Sequence, residues 1–137
     1  MVGKKLILML IGIAMVITVT SCQMAYEISL QGSWEVDEYY KNGVEDTQSF
    51  NLAFGDYVIK FHPDGDFTET FKAMNLLPVT NPGTWVIINS GTQLQLVDEN
   101  AARTFDILSI TNDELRLYRE LGEGGNEELV MEPKEEI

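Results

Sequence analysis

Two acidic residues occupy positions from which their carboxylates would point into the interior of a β-sheet protein. Glu38 shares the alternation of Trp34, and Glu69 lies midway between Phe67 and Phe71. Because every second side chain of a strand lies on the same face, both carboxylates would share a face with these aromatic rings. A pair of interior carboxylates can act as general acid and base, or can bind a polar or cationic group of a ligand.

A second interpretation keeps both carboxylates in water. The adjacent Tyr39 and Tyr40 indicate that the alternation slips by one residue, as it does at a β-bulge, and Glu69 can lie at the solvated mouth of a barrel. Because an unpaired buried charge is costly, we favour this second interpretation. If the carboxylates are inside, Arg103 and Arg116 are the candidate partners.

Other reactive residues do not form a recognisable site. His62 is the only histidine, and beside Pro63 at the end of a strand we expect it on the surface, which disfavours a histidine triad or a common zinc site. Asp64, Asp66 and Glu69 surround a turn but lack the alternating acidic loop of a calcium site. We therefore expect a non-catalytic protein with no metal and no cofactor.

The single cysteine, Cys22, lies between an apolar run and the polar body of the chain. Lys4 and Lys5 precede an apolar stretch over residues 6–19. This stretch has the length of a signal-peptide core and is shorter than the roughly 18–20 residues that a spanning helix needs. We predict that residues 1–21 are a signal peptide that is cleaved.

The residues before the cysteine, Val19-Thr20-Ser21-Cys22, resemble the lipobox of bacterial lipoproteins. The resemblance implies that the thiol of Cys22 receives a diacylglyceryl group and that Cys22 becomes the acylated first residue of the mature protein. A thiol is a suitable nucleophile for this alkylation. We predict that residues 22–31 are the lipidated N-terminus and a short tether to the membrane.

The residues after Cys22 give an expected location. Residue 23 is Gln, whereas an Asp at this position would resemble an inner-membrane retention signal. No acidic run of the kind that resembles a surface-export signal follows immediately. We therefore expect the protein at the outer membrane of a bacterium, on the periplasmic side rather than on the cell surface.

The charge of the chain disfavours one class of partner. Its 137 residues include 22 acidic and 9 basic side chains, a net formal charge of −13. Such a surface repels polyphosphates, so we expect no nucleic acid partner. With a single cysteine, no disulfide forms within the chain, and packing alone must stabilise it.

The rest of the chain predicts a single all-β domain over residues 32–137. Alternating apolar residues between turn formers such as Pro63-Asp64-Gly65 indicate eight short strands. We predict them at residues 33–41, 57–62, 66–72, 84–88, 93–97, 103–110, 114–119 and 128–132.

Two folds accommodate eight successive antiparallel strands, a two-sheet sandwich and an up-and-down barrel. Short links favour pairing in sequence order and therefore the single eight-stranded antiparallel up-and-down barrel. Residues 44–56 can be a loop, a helical turn or a lid, and residues 73–82 are predicted to be a long connection.

Several motifs resemble those of short bacterial lipocalin-like domains, many of which are lipoproteins. They are Gly32-Ser33-Trp34, the sequence IKFHPDGDF at 59–67, Gly83-Thr84-Trp85 and LSITNDELRL at 108–117. The resemblance implies a lipocalin-like barrel in which Trp34 packs across the closed end. Trp85 is expected in the core.

An eight-stranded barrel either holds one small ligand or is filled by its own side chains. We predict a lipid-anchored, non-catalytic envelope protein that binds a small apolar ligand inside the barrel. The alternative is an accessory protein with a filled barrel that docks on an outer-membrane complex or inhibits an enzyme. The candidate interior residues are Trp34, Val36, Glu38, Tyr57, Ile59, Phe61, Phe67, Glu69, Phe71, Trp85, Leu115 and Leu117.

Overall fold

The computed structural model describes residues 23–135, so the predicted signal peptide and Cys22 lie outside the described residues. Nine strands are formed, of which eight build a barrel and the two-residue β2 pairs with the end of β1. The strands are β1 (Gly32–Lys41), β2 (Val44–Glu45), β3 (Phe54–Phe61), β4 (Asp66–Ala73), β5 (Leu77–Ile88), β6 (Gln93–Asp98), β7 (Ala102–Ile110), β8 (Leu115–Glu120) and β9 (Asn126–Pro133).

Each barrel strand pairs antiparallel with the next one along the chain, and β9 closes the barrel on β1. The predicted all-β, eight-stranded up-and-down barrel is confirmed, and the sandwich is excluded. The turn between β3 and β4 also forms as predicted, with Gly65 at a φ of 95° that favours glycine.

The predicted long connection over residues 73–82 is wrong, because β5 already begins at Leu77. Pro78 and Pro82 pair with β4, whereas pairing of β5 with β6 starts only at Gly83. The prolines therefore lie where β5 has a neighbour on one side only, which is where a strand tolerates a missing N–H group.

A β-bulge in β1 changes which of its side chains face inward. The register against β9 shifts between Val36 and Glu38, and beyond the shift Tyr39 packs against the core. Glu38 and Tyr40 therefore lie on the outer face, where the Tyr40 hydroxyl donates a hydrogen bond of 2.6 Å to Glu38. The placement of Glu38 among the interior residues is wrong, and the bulge that we favoured is its physical reason.

Residues 44–56, which the sequence pattern did not assign to a single element, form β2, a short helix, α2 (Thr47–Ala53), and the first three residues of β3. Pairing between β1 and β3 ends at Glu35 and Val58, although both strands continue beyond this point. Helix α2 contacts both strands there, and Phe50 stacks on Tyr39 with ring centroids 4.8 Å apart. The helix therefore covers a lateral gap in the barrel wall.

The N-terminal residues 23–30 are helical (α1) and cover one end of the barrel, here called the closed end. Gln23 donates a side-chain hydrogen bond to the Ile87 carbonyl at 3.1 Å, and Leu30 is fully buried. The Trp34 indole donates to the Leu30 carbonyl at 2.8 Å. Most of the segment predicted as a tether is thus packed on the barrel.

No helix within residues 23–135 is both long and apolar enough to cross a bilayer. The core fills the closed half of the barrel, and its members come from α1 and every barrel strand. They are Leu30, Trp34, Ile59, Phe61, Phe67, Ile87, Leu94, Leu96, Phe105, Leu115, Leu117, Leu129 and Met131.

Candidate functional site

A cavity of about 650 Å³ occupies the half of the barrel opposite α1, here called the open half. Its aromatic wall is formed by Phe50 of α2 with Phe54, Tyr57 and Phe71 of the adjacent strands. The four rings contact one another, for example Phe54 and Phe71 with centroids 5.3 Å apart. Below the cavity the packed core forms its floor.

A ring of polar side chains surrounds the cavity, and each of the eight barrel strands contributes one member. We call this ring the polar belt. It consists of Tyr39, Tyr57, Glu69, Asn81, Asp98, Arg103, Arg119 and Glu127.

The belt is centred on Glu69, which is only 4% exposed. Arg103 binds its carboxylate with both terminal nitrogens, at 3.1 Å to Oε2 and 2.5 Å to Oε1. The Tyr57 hydroxyl donates to Oε2, and the Asn81 amide donates to Oε1 at 3.0 Å. Each oxygen of the Glu69 carboxylate therefore accepts two hydrogen bonds from the protein. We favoured a position for Glu69 at the solvated mouth of the barrel, and this interpretation is wrong, because Glu69 is buried.

The network fixes the protonation of its members. Burial alone raises the pKa of Glu69, but the hydrogen bonds from Arg103 and Tyr57 and the arginine charge outweigh burial and hold this pKa below its usual value. Burial raises the pKa of Tyr57 well above its usual range, and the Glu69 charge adds to the effect. Glu69 is thus an anion and Tyr57 a neutral donor.

Asp98 extends the network toward the mouth of the cavity. Its Oδ2 accepts hydrogen bonds from Asn81 at 3.1 Å and from Arg103 at 3.4 Å. Its Oδ1 accepts from the backbone N–H groups of Asn100 and Ala101. The hydrogen bond from Asn81, followed by those from the backbone, lowers the pKa of Asp98.

A second ion pair completes the belt on the opposite side. The Arg119 Nε donates to Glu127 Oε1 at 2.5 Å, and the Tyr39 hydroxyl donates to Oε2 at 2.9 Å. The guanidinium of Arg119 lies 5.2 Å from the centre of the Phe105 ring. Burial, followed by the hydrogen bond to Glu127, raises the pKa of Tyr39.

The candidate interior residues divide into three groups. Those that line the cavity are Tyr57, Ile59, Glu69, Phe71 and Leu117. Those that lie in or against the packed core outside the cavity lining are Trp34, Val36, Phe61, Phe67, Trp85 and Leu115. Glu38, on the outer face, forms the third group. Ligand contact by the first group stays a prediction.

Sequence reasoning missed five of the eight members of the belt, including Tyr39, which was used only as a sign of the bulge. Arg119 and Glu127 share the alternation of the buried Leu117 and Leu129, and Asp98 shares that of Leu96, so the signal was present in the strands. Asn81 lies in the segment that was predicted to be a loop. Phe50 lies in α2, which has no readable period.

The carboxylates of the belt are engaged in ion pairs and hydrogen bonds with their neighbours. Arg103 holds Glu69 as an anion, and Glu127 accepts hydrogen bonds from Arg119 and Tyr39. Within residues 23–135, no group of three or more His, Cys, Asp or Glu side chains is placed to hold a metal ion.

Comparison with known sequences identifies a family. The sequence profile described as a lipocalin-like domain matches residues 30–117, from the last residue of α1 to the middle of β8. Among curated proteins, none matches the sequence.

Solved structures with the same fold come from bacteria and from an animal. A lipocalin-like protein from Bacteroides uniformis is 15% identical, with a TM-score of 0.57, over 77% of this chain and 99% of that one. An uncharacterized protein from Bacteroides eggerthii is 13% identical with the same coverage and TM-score. Lobster apocrustacyanin A1 is 17% identical, with a TM-score of 0.54, over 80% of this chain and 63% of that one. At these identities the similarity concerns the fold.

Proposed function

The chain belongs to the lipocalin-like domain family, and on this premise we propose that it is a lipid-anchored, non-catalytic envelope protein that holds a small apolar ligand in its barrel. The observation that carries the proposal is the cavity in the open half. Its volume of about 650 Å³ lies within the roughly 300–1,000 Å³ of small-molecule sites.

The lining of the cavity supports an apolar guest. Phe50, Phe54 and Phe71 offer ring faces and edges that would gain contacts when a ligand displaces water. The charged members of the belt bind one another, so an apolar body can lie above them without breaking a hydrogen bond.

The proposed anchor rests on the sequence around Cys22 and agrees with the position of α1. Because residue 23 packs on the closed end, a lipid on the preceding residue would hold that end toward the membrane and turn the cavity away from it. We propose the periplasmic side of the outer membrane. Digestion of intact cells with protease leaves the domain whole if this side is right and removes it if the domain is on the surface.

Binding is tested with the chain from residue 22 onward, carrying Cys22→Ser so that no detergent is needed. Residues 23–135 include a closed barrel with its own core, so this chain is the unit to test. Titration with the apolar fluorescent probe N-phenyl-1-naphthylamine is expected to saturate at one probe per chain. A non-saturating signal, or none, would contradict the proposal.

A second candidate function is favoured by one surface feature. Met74 and Leu76 of the turn between β4 and β5 are exposed by 68% and 80%, and Leu77 at the start of β5 by 70%. They lie next to Leu52 of α2. Clustered exposed apolar residues mark interaction sites in soluble proteins. The proposed partner is another envelope protein. Co-purification from membranes that is lost in Leu76→Ser and Leu77→Ser supports this function, and recovery only as a free monomer contradicts it.

A further inference from the structure

The hydrogen-bonding state of the polar belt indicates which head group a ligand can carry. The carboxylates of the belt are engaged with the protein: each oxygen of Glu69 and Asp98 accepts two hydrogen bonds from protein donors, and each oxygen of Glu127 accepts one. A ligand amine or ammonium group that approaches Glu69 or Asp98 would have to break one of these bonds to gain a partner.

The belt has spare donors on one residue. A guanidinium carries five N–H donors, and Arg119 uses its Nε toward Glu127. No acceptor within residues 23–135 meets Nη1 or Nη2 of Arg119. No side-chain nitrogen or oxygen is buried without a partner in this part of the chain, so the two groups are accessible to solvent, and Arg119 lines the cavity.

Arg119 is held in place before any ligand arrives. Glu127 fixes its Nε at 2.5 Å, the Phe105 ring lies 5.2 Å from its guanidinium carbon, and Tyr39 fixes Glu127 in turn. A donor pair that is positioned in advance loses little side-chain entropy when it binds an acceptor.

The position of Arg119 complements the aromatic wall. In the order of the barrel, β8 lies four strands from β4, so Arg119 and Phe71 come from opposite sides of the wall. A molecule that spans the cavity can therefore place its apolar body on the aromatic wall and its head against Arg119.

We infer that Arg119 is a head-group receptor and that the barrel binds amphipathic molecules with an oxygen-acceptor head, a carboxylate or a carbonyl, and an apolar body. This inference rests on the proposed function and adds the ligand class and the residue that selects it. A carboxylate binds more tightly than an ester carbonyl, because it accepts two charge-assisted hydrogen bonds from one guanidinium.

The test uses four probes with the same twelve-carbon chain: dodecanoic acid, methyl dodecanoate, dodecanol and dodecylamine. Each competes with N-phenyl-1-naphthylamine for the Cys22→Ser chain near pH 7. The expected order of affinity is acid, ester, alcohol and then amine, with the acid at least about tenfold above the amine, since a hydrogen bond to a charged group contributes that much.

The variant Arg119→Gln keeps an N–H donor for Glu127 but removes the positive charge and the paired N–H donors of the guanidinium. It is expected to lower the affinity for the acid about tenfold and to leave the affinity for dodecanol within about twofold. The matched control is Arg116→Gln on the same strand, whose ion pairs with Glu114 and Glu128 lie on the outer face, and its affinities are expected to equal those of the wild type.

The outcomes separate the two claims. Displacement of the probe by all four compounds with equal affinity, unchanged in Arg119→Gln, overturns the head-group receptor and leaves the binding function intact. Failure of the probe and of all four compounds to bind overturns both. If Arg119→Gln does not fold, Arg119→Lys is used instead, because a lysine keeps the positive charge but lacks the paired donors of the guanidinium. An unchanged preference for the acid over the ester in Arg119→Lys also overturns the inference.

Discussion

Glu69 is the one charged residue that is buried within residues 23–135, and its surroundings explain why the fold tolerates it. A buried carboxylate without partners would be protonated or would unfold the barrel. Here Arg103, Tyr57 and Asn81 satisfy both oxygens. The ion pair therefore gives the cavity a polar belt without leaving an unpaired charge.

The variant Arg103→Met is expected to lower the free energy of unfolding by about 3 kcal/mol, because it leaves Glu69 buried without its cation. The double variant with Glu69→Met is expected to recover most of this loss. The exposed pair of Arg116 supplies the control, since Arg116→Met is expected to cost about 0–1 kcal/mol. Urea unfolding measures all of these, and an Arg103→Met chain as stable as the wild type would contradict the role of the pair.

The stability conferred by Glu69 depends on pH with a defined sign. Its pKa in the folded state is below the ordinary value of 4.5, so its contribution is complete above pH 4.5 and is lost as the pH falls through the folded pKa. The variant Glu69→Gln is expected to be less stable than the wild type at pH 7. The difference should shrink as the pH is lowered to about 3. A difference that grows on acidification would show that Glu69 is not held as an anion.

Single residues show where sequence reasoning stops. Alternation placed Glu69 beside Phe67 and Phe71 on one face, and Arg103 was one of two arginines named as partners. The choice between Arg103 and Arg116 depends on the inward face of two distant strands. Alternation assigns those faces only after the bulges are known, and bulges have no strong sequence signal.

At the scale of elements, a glycine explains one of the family motifs. Gly83 of β5 pairs with Phe67 of β4, and a Cβ at Gly83 would lie 2.4 Å from the Phe67 ring and 2.4 Å from the Val97 carbonyl oxygen. The absence of a side chain at Gly83 lets the Phe67 ring approach the backbone of β5 closely within the packed core.

The variant Gly83→Ala is therefore expected to lower the free energy of unfolding by about 1–3 kcal/mol through overpacking. A Cβ added at Gly122 would meet no atom within 4 Å beyond its own chain neighbours, and Gly122→Ala is expected to be close to neutral. Thermal unfolding of the two variants measures the contrast. Equal melting temperatures for both would contradict the close approach of Phe67 to Gly83.

The boundaries of strands could be predicted where apolar and polar residues alternate regularly. They could not be predicted where a strand pairs with a neighbour on one side only. The hairpin of β3 and β4 follows from alternation and from Gly65. The first half of β5 was hidden because Pro78 and Pro82 are poor strand residues unless one edge is unpaired, and that condition is a property of the whole sheet. Helix α2 buries no residue fully and therefore lacks an apolar stripe.

At the scale of the whole molecule, the topology followed from the short links between strands, whereas the interior did not follow from any local pattern. The same inward apolar residues occur in the packed closed half and around the cavity. Whether these inward side chains pack against one another or leave a cavity depends on the tilt of the strands and on the positions of α1 and α2. The interior volume is thus a global quantity that only the assembled barrel reveals.

Two valines of β5 allow the central claim, a ligand site inside the open half, to be tested directly. Val79 lines the cavity, whereas Val86 lies on the outer face and is 44% exposed. The measurement is the titration of Val79→Trp and Val86→Trp with N-phenyl-1-naphthylamine. Binding is expected to weaken at least about tenfold in Val79→Trp, because the indole fills space that the probe needs, and to be unchanged in Val86→Trp. Unchanged binding in Val79→Trp would contradict a site inside the barrel.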